Sequence, residues 1–476
     1  MAGKAMVSDM KTAVSVLQLF VIFLVAVVCD EIRDYAGSGL LNVPRNLQGV
    51  KILNLSRNRI TKVEAYDLKS ATDLISLDFS YNNLTYIDKN ALESTVRLKT
   101  LNVSFNNFLS EVGFLLHSTE LNTLSMKGIG LTDIPPDSLS SLKELCELYL
   151  SKNNLQNIMS KSLIHLDKLN IIDLSENKIE DIGKIFEYSV QLREIYLDRN
   201  NLTSLVGTEF SNNKELQLIS LNENQLSSVH SNTFTQLQHL KELYMRNNKL
   251  SKLSKDIFKE NTNLQKLDLS GNNIVHIEVT TFHSQINLQH LYLSENCLKT
   301  LPDEIFSNNR QLIKLFLDSN NIEYLYTDIF ARNEQLTEIN LSNNNFKTLP
   351  QGLIRRNSKL GRLILDDNYL LEINKYSPFL YTSSLKYVSI LNTNAYLKSP
   401  NWTLGMPPFT NIAISGPNIV CHKRPLCSTT EIIMDGGSYK RDCSYQESAN
   451  SPENGSASHS SCYVLLTAIV LVLSIY

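Results

Sequence analysis

The sequence is poor in residues that break structure and in patterns that carry catalysis. Its 476 residues include 17 glycines, 12 prolines and one tryptophan, so most of the chain is not low-complexity linker. Positive charge is not in surplus. Lys and Arg number 45 against 48 Asp and Glu, a formal net charge of −3. That removes the electrostatic case for nucleic acid, which wants a basic face. The chain lacks G-x-S-x-G, H-E-x-x-H and phosphate-loop motifs. No Cys or His spacing makes a zinc site, His422 beside Cys421 included. These absences exclude the familiar hydrolase, metalloprotease and nucleotide-binding patterns. We read the chain as non-enzymatic, with no cofactor, no metal and no small-molecule substrate.

What is present is a repeat. The template L-x-x-L-x-L-x-x-N-x-L fits "VKILNLSRNRI" with its asparagine at Asn58, "LISLDFSYNNL" at Asn82 and "LKTLNVSFNNF" at Asn106. It continues through Asn153, Asn177, Asn200, Asn224, Asn248, Asn272, Asn296, Asn320, Asn344 and Asn368, almost always at a step of 24. A degenerate last copy, "LKYVSILNTNA", starts at Leu385 and has Thr393 in place of the asparagine. "LNTLSMKGIGL" has Ile129 there, and both departures predict local irregularity. The pattern resembles the leucine-rich repeat family, of the extracellular 24-residue type. The expected fold is an α/β repeat solenoid. It is a horseshoe of about 15 repeats with a parallel β-sheet on the concave face.

Alternating side-chain direction in the L-x-L strand points the leucines inward. The asparagine amide is expected to satisfy backbone groups that the turn would otherwise orphan. Phe210, Phe234, Phe258, Phe282, Phe306 and Phe330 also step by 24. They predict an inner spine under the convex side.

The ends are read as follows. Residues 1–29 are a secretory signal: Lys4 and Lys11 precede the apolar run Ala13 to Val28, and small residues follow. A retained signal anchor is the alternative. Residues 30–47 are a reduced N-terminal cap, because "SGLLNVPRNL" matches the end of the family's cap but only Cys29 lies nearby. Repeats fill 48–394, and a C-terminal cap fills 395–445. A polar linker spans 446–454 and a glycolipid-anchor signal 455–476. The last segment, after "ESANSPENGSASHSSC", is an apolar run too short to span a bilayer. Asn454, Gly455 and Ser456 are the attachment candidates, with Ser448 as a further one. A short membrane anchor is the alternative.

Of seven cysteines, Cys421, Cys427 and Cys443 are the candidates for a cap disulfide, with the pairing open. Cys146 and Cys297 fall six strands apart, ~29 Å, too far to bridge. Both are expected to be free thiols.

On each strand the central non-leucine position faces the concave surface. It reads Tyr149, Asp173, Tyr196, Ser220, Tyr244, Asp268, Tyr292 and Phe316. Tyr is enriched in interface hot spots, so this column, with Arg193 and Arg246 beside it, is the expected site for a protein partner. The other reading of the tyrosines is mutual support between neighbouring strands. Sequons at Asn54, Asn83, Asn102, Asn201, Asn340 and Asn401 are glycosylation candidates; "LNLS" also arises from the repeat pattern itself. The resemblance extends to glycolipid-anchored invertebrate cell-surface adhesion proteins such as connectin and chaoptin. It implies a cell-surface recognition or adhesion protein with a protein ligand, including a homophilic one. The alternatives are a secreted innate-immune recognition protein, against which stands the lack of a heptad pattern after residue 395, or a Toll-like co-receptor without a signalling domain.

Overall fold

In a computed structural model, residues 31–106, 109, 112–370, 379 and 384–393 are described, together with the backbone of 411–414. All of them lie in one compact unit. Three-residue strands with a buried central residue recur along the chain, as in Glu242–Tyr244, Lys266–Asp268 and His290–Tyr292. Each pairs in parallel with the next, giving a sheet of seventeen strands. The register steps by 24, as in Glu242↔Lys266 and Leu243↔Leu267. It shortens by one residue between Thr100 and Thr123 and between Ile171 and Glu194. The first shortening is the irregular repeat that carries Ile129.

Two strands of this sheet lie outside the template. Ile32–Asp34, in the N-terminal cap, pairs with Ile52–Asn54, and Asn411–Ile414 continues the sheet beyond Tyr387–Ile390. Opposite the sheet, the chain returns through turns, with two 3₁₀ helices, Gly113–His117 and Ser160–Leu163, among the described residues.

Four columns hold the stack together. The phenylalanine spine is fully buried and starts one repeat earlier than expected, at Phe186. Successive rings stack 6.2–6.4 Å apart from Phe186 to Phe282. The asparagine ladder behaves as its chemistry demands. Asn224 Nδ2 donates to Leu197 O and Leu221 O, and its Oδ1 accepts the Leu202 N–H. One amide therefore closes its own turn and the preceding one. Where Ile129 replaces asparagine, Asn153 compensates. Its Oδ1 accepts from the N–H groups of Ile129, Gly130 and Leu131.

A second ladder runs under the convex side. Asn213, Asn261, Asn309, Asn333 and Asn357 each donate to two carbonyls of the preceding repeat, as Asn261 does to Phe234 O and Leu237 O. Their Oδ1 atoms accept no hydrogen bond from the described residues.

The fourth column is conformational. The residue before each ladder asparagine is left-handed: Lys152, Glu176, Arg199, Glu223, Glu295 and the other non-glycine residues there have φ between 50° and 61°, and Gly271 has 66°. Non-glycine residues rarely adopt this backbone, yet the strand-to-turn reversal imposes it in nearly every repeat.

Cys146 is a free, half-buried thiol. Cys297 is not free: it is buried and disulfide-bonded, which corrects the expectation of two free thiols. The expectation excluded only the Cys146 partner. The signal segment, Asn401, Cys421, Cys427, Cys443 and the anchor candidates Ser448, Asn454, Gly455 and Ser456 lie outside the described residues.

Candidate concave binding face

Strand pairing brings the sequence-predicted column together. Tyr149 pairs with Asp173, Asp173 with Tyr196, and Tyr196 with Ser220. The line continues through Tyr244, Asp268, Tyr292, Phe316 and Asn340. The tyrosines are half-buried in the face. Each of the first three donates its hydroxyl to the glutamate two residues earlier: Tyr149 to Glu147 at 3.2 Å, Tyr196 to Glu194 at 2.7 Å, and Tyr244 to Glu242. The alternation of side chains along a strand makes i and i+2 neighbours on one face, so Glu-x-Tyr is a local unit. Burial, then the adjacent Glu147 charge, pushes the Tyr149 phenol up to about 12. Burial and the bonds to Glu194 and Glu242 raise Tyr196 and Tyr244 as well. Tyr292 lacks such a glutamate; His290 stacks beside it, and the Tyr292 and Phe316 rings lie 5.1 Å apart. Burial, with Lys266 and Lys314 nearby, lowers the His290 pKa.

Two hollows open on this face. One of about 530 Å³ lies over Tyr149, Ile171, Asp173, Glu194 and Tyr196 and reaches Phe105 and Lys127. The other, of about 320 Å³, lies over Asp268, Tyr292, Phe316 and Asp318. Arg246 borders the second, with its guanidinium 3.7 Å from Glu295. Arg193 is exposed at the entry to its strand and lines neither.

Lys127 is a residue of this face that sequence reading missed. Its ammonium lies 2.9 Å from Asp173 and 4.6 Å above the Tyr149 ring. It sits in the irregular repeat, where the template offers little guide.

The sequons acquire a structural role. Asn54, Asn102 and Asn340 occupy the central column, and each Oδ1 accepts the N–H of the serine two residues on. Asp78, Asp173 and Asp268 make the same turn with Ser80, Ser175 and Ser270. The N-x-S and D-x-S spellings are thus one backbone device. Asn83 is exposed and Asn201 half-buried beside the ladder.

The family model described as "Leucine rich repeat" matches residues 48–108, 119–179, 190–250, 262–322 and 310–370. The chain belongs to the leucine-rich repeat family. A model of two such repeats also matches 238–278. Over 62 residues the chain is 45% identical to chaoptin of Drosophila melanogaster, which is 13% of this chain and 5% of chaoptin. Among solved structures, a leucine-rich repeat protein of Leptospira interrogans superposes with a TM-score of 0.72 at 25% identity, covering 81% of this chain and 97% of that one. A chain from the Drosophila Toll–Spatzle complex superposes at 0.63 with 20% identity, covering 81% of this chain and 57% of that one. The last likeness shows the fold alone. Repeat solenoids typically present a concave surface for protein partners, and among the described residues no helix is long and apolar enough to cross a membrane.

Proposed function

We propose that this leucine-rich repeat protein is a non-enzymatic cell-surface recognition or adhesion protein that binds a protein partner on its concave face. The observation that carries the reading is the register-aligned column of half-exposed aromatics, Tyr149, Tyr196, Tyr244, Tyr292 and Phe316. Their hydroxyls, where bonded, are held by local glutamates, so the rings are pre-organised and lose little freedom on binding. Arg246 and the exposed Arg193 add polar contacts at the edge. The partial identity with chaoptin supports the adhesion reading, and homophilic binding is part of the proposal. The site of action is the extracellular face of the plasma membrane, reached through the N-terminal signal and held by a glycolipid at Asn454, Gly455 or Ser456. Sequon glycans would crowd the ends of the concave face, at Asn54, Asn102 and Asn340, and leave its middle open.

The test uses cells displaying the full-length chain. Phosphatidylinositol-specific phospholipase should release the protein into the medium, and mixing expressing with non-expressing cells should produce aggregates. Retention on the treated cells would reject the glycolipid anchor. Protein free in untreated medium would favour the secreted immune reading instead.

A further inference from the structure

The larger concave hollow has a floor with a specific plan. Across three adjacent strands, Glu147 pairs with Ile171 and Ile171 with Glu194; one step along, Tyr149 pairs with Asp173 and Asp173 with Tyr196. Two carboxylates therefore flank a half-exposed isoleucine, about 9.6 Å apart across two strand spacings. Each carboxylate is held by neutral donors only. Glu147 accepts from the Tyr149 and Thr123 hydroxyls, and Glu194 from the Tyr196 hydroxyl. Among the described residues neither has a cation within ion-pair distance. Asp173 beneath them is already neutralised by Lys127, which also covers the Tyr149 ring. Among the described residues no cation lies over the Tyr196 ring.

The pattern recurs once, and the recurrence is informative. Glu194, Leu218 and Glu242 stand in register over Tyr196, Ser220 and Tyr244. There Lys266 sits 2.9 Å from Glu242 and fills the role of the cation. Lys266 thus shows what satisfies one carboxylate of this arrangement; Lys127 and Lys152 line the first hollow but, among the described residues, no cation stands on Glu147 or Glu194.

We propose that the hollow over Ile171 is a subsite for an arginine side chain of the protein partner. The inference rests on the concave-face reading and names what that face recognises. The apolar stem would lie on Ile171, and the guanidinium would reach Glu147 and Glu194 on either side. A planar guanidinium donates in more than one direction at once and stacks on aromatic rings such as Tyr196. A compact ammonium does neither as well. The hollow, about 530 Å³, has room for the side chain and part of its backbone.

The experiment uses the purified full-length chain with isoleucine δ1 methyls labelled with carbon-13. The probes are acetyl-Gly-Arg-Gly-amide and the same peptide with neutral, near-isosteric citrulline. The arginine peptide should shift the Ile171 methyl saturably. Citrulline, and separately the Glu147→Gln/Glu194→Gln protein, should each weaken the apparent affinity by about fivefold or more, the scale of one lost exposed charge contact. The other isoleucine methyls report that the variant is folded. If they do not, raising the salt on the unmodified protein gives the same test, because an exposed ionic contact must weaken. No saturable shift, equal binding of citrulline, or indifference to both the glutamines and salt would overturn the subsite. If the arginine peptide is silent while Tyr196→Ala/Tyr244→Ala still abolishes cell aggregation, the subsite falls and the concave-face reading stands.

Discussion

Lys127 reaches across two strands to Asp173, 46 residues away, and its Nζ lies 2.9 Å from the carboxylate. Only 13% of the Asp173 side chain is exposed. A removed partner leaves a nearly buried charge alone, which costs more than the bond itself contributed. Lys127→Met should therefore lower stability by about 1–3 kcal/mol. Adding Asp173→Asn should recover part of that loss. Urea unfolding of the single and double variants measures both, and independent, additive effects would contradict the pairing.

Removing the hydroxyl-anchored rings should separate binding from folding. Tyr196→Ala with Tyr244→Ala should reduce partner-dependent cell aggregation while leaving surface yield near normal. The rings sit on the open face, while the buried leucines between them carry the core. Unchanged aggregation by the double variant would count against the column as the binding face.

The two asparagine ladders should differ in cost. Asn224→Leu orphans the N–H of Leu202 and takes one of two amide donors from each of the Leu197 and Leu221 carbonyls, which keep Asn200 and Asn248. At about 1–3 kcal/mol for that buried N–H, with two further bonds lost, surface yield should fall. Asn261→Leu orphans no group: the Phe234 and Leu237 carbonyls keep the N–H groups of Leu237 and Leu240. It should be the milder change, read by melting temperature and yield.

The left-handed position gives a prediction opposite to ordinary strand propensity. At Glu176, φ is 54°. Glycine adopts this backbone freely and a β-branched residue does not. Glu176→Gly should stay within about 0.5 kcal/mol of the original protein. Glu176→Val should cost about 1–2 kcal/mol. Equal melting of the two would refute the strain argument.

Alkaline titration reports the Glu-x-Tyr units. Tyr149 is pushed up to about 12 by burial and then by Glu147. A phenol whose folded pKa is raised holds its proton better when folded. Its contribution is fully present below the ordinary value near 10 and is lost as pH rises toward 12. Phenolate absorbance should show a late-ionising group, and Glu147→Gln should bring one tyrosine forward. A titration unaffected by that change would place the Tyr149 hydroxyl elsewhere.

Much of this was legible in the sequence, for one reason: in a solenoid, equivalent residues recur at one spacing, so a column in space is a period in the chain. The leucines, the ladder from Asn58 to Asn368, the phenylalanine spine and the tyrosine column all announce themselves that way. The second ladder could have been found too, since Asn213, Asn261, Asn309 and Asn333 follow Phe210, Phe258, Phe306 and Phe330 by three. Lys127 was hidden, because its role depends on a side chain spanning two strands and no periodicity encodes that. The strand Ile32–Asp34 was hidden for a different reason. It has no leucine pattern of its own, and takes its form from pairing with Ile52–Asn54 and from Asn58, which donates to Tyr35 O and accepts from Leu40. The left-handed column was invisible as composition, since Arg, Glu, Lys, Asn and Ser all occupy it. The departures at Ile129 and Thr393 had different outcomes. Asn153 makes up for the first, and the sheet runs on past the second to Asn411–Ile414.

Each ladder asparagine reaches backward, with Asn248 Nδ2 on Leu221 O and its Oδ1 on the Leu226 N–H. A turn is therefore complete only when the following repeat has been made and laid against it. During synthesis, the newest repeat emerging from the ribosome is always the unfinished one, and closure trails the growing end by about 24 residues, from Asn224 to Asn248. Assembly is directional: each repeat is the template for the one after it and the lock for the one before.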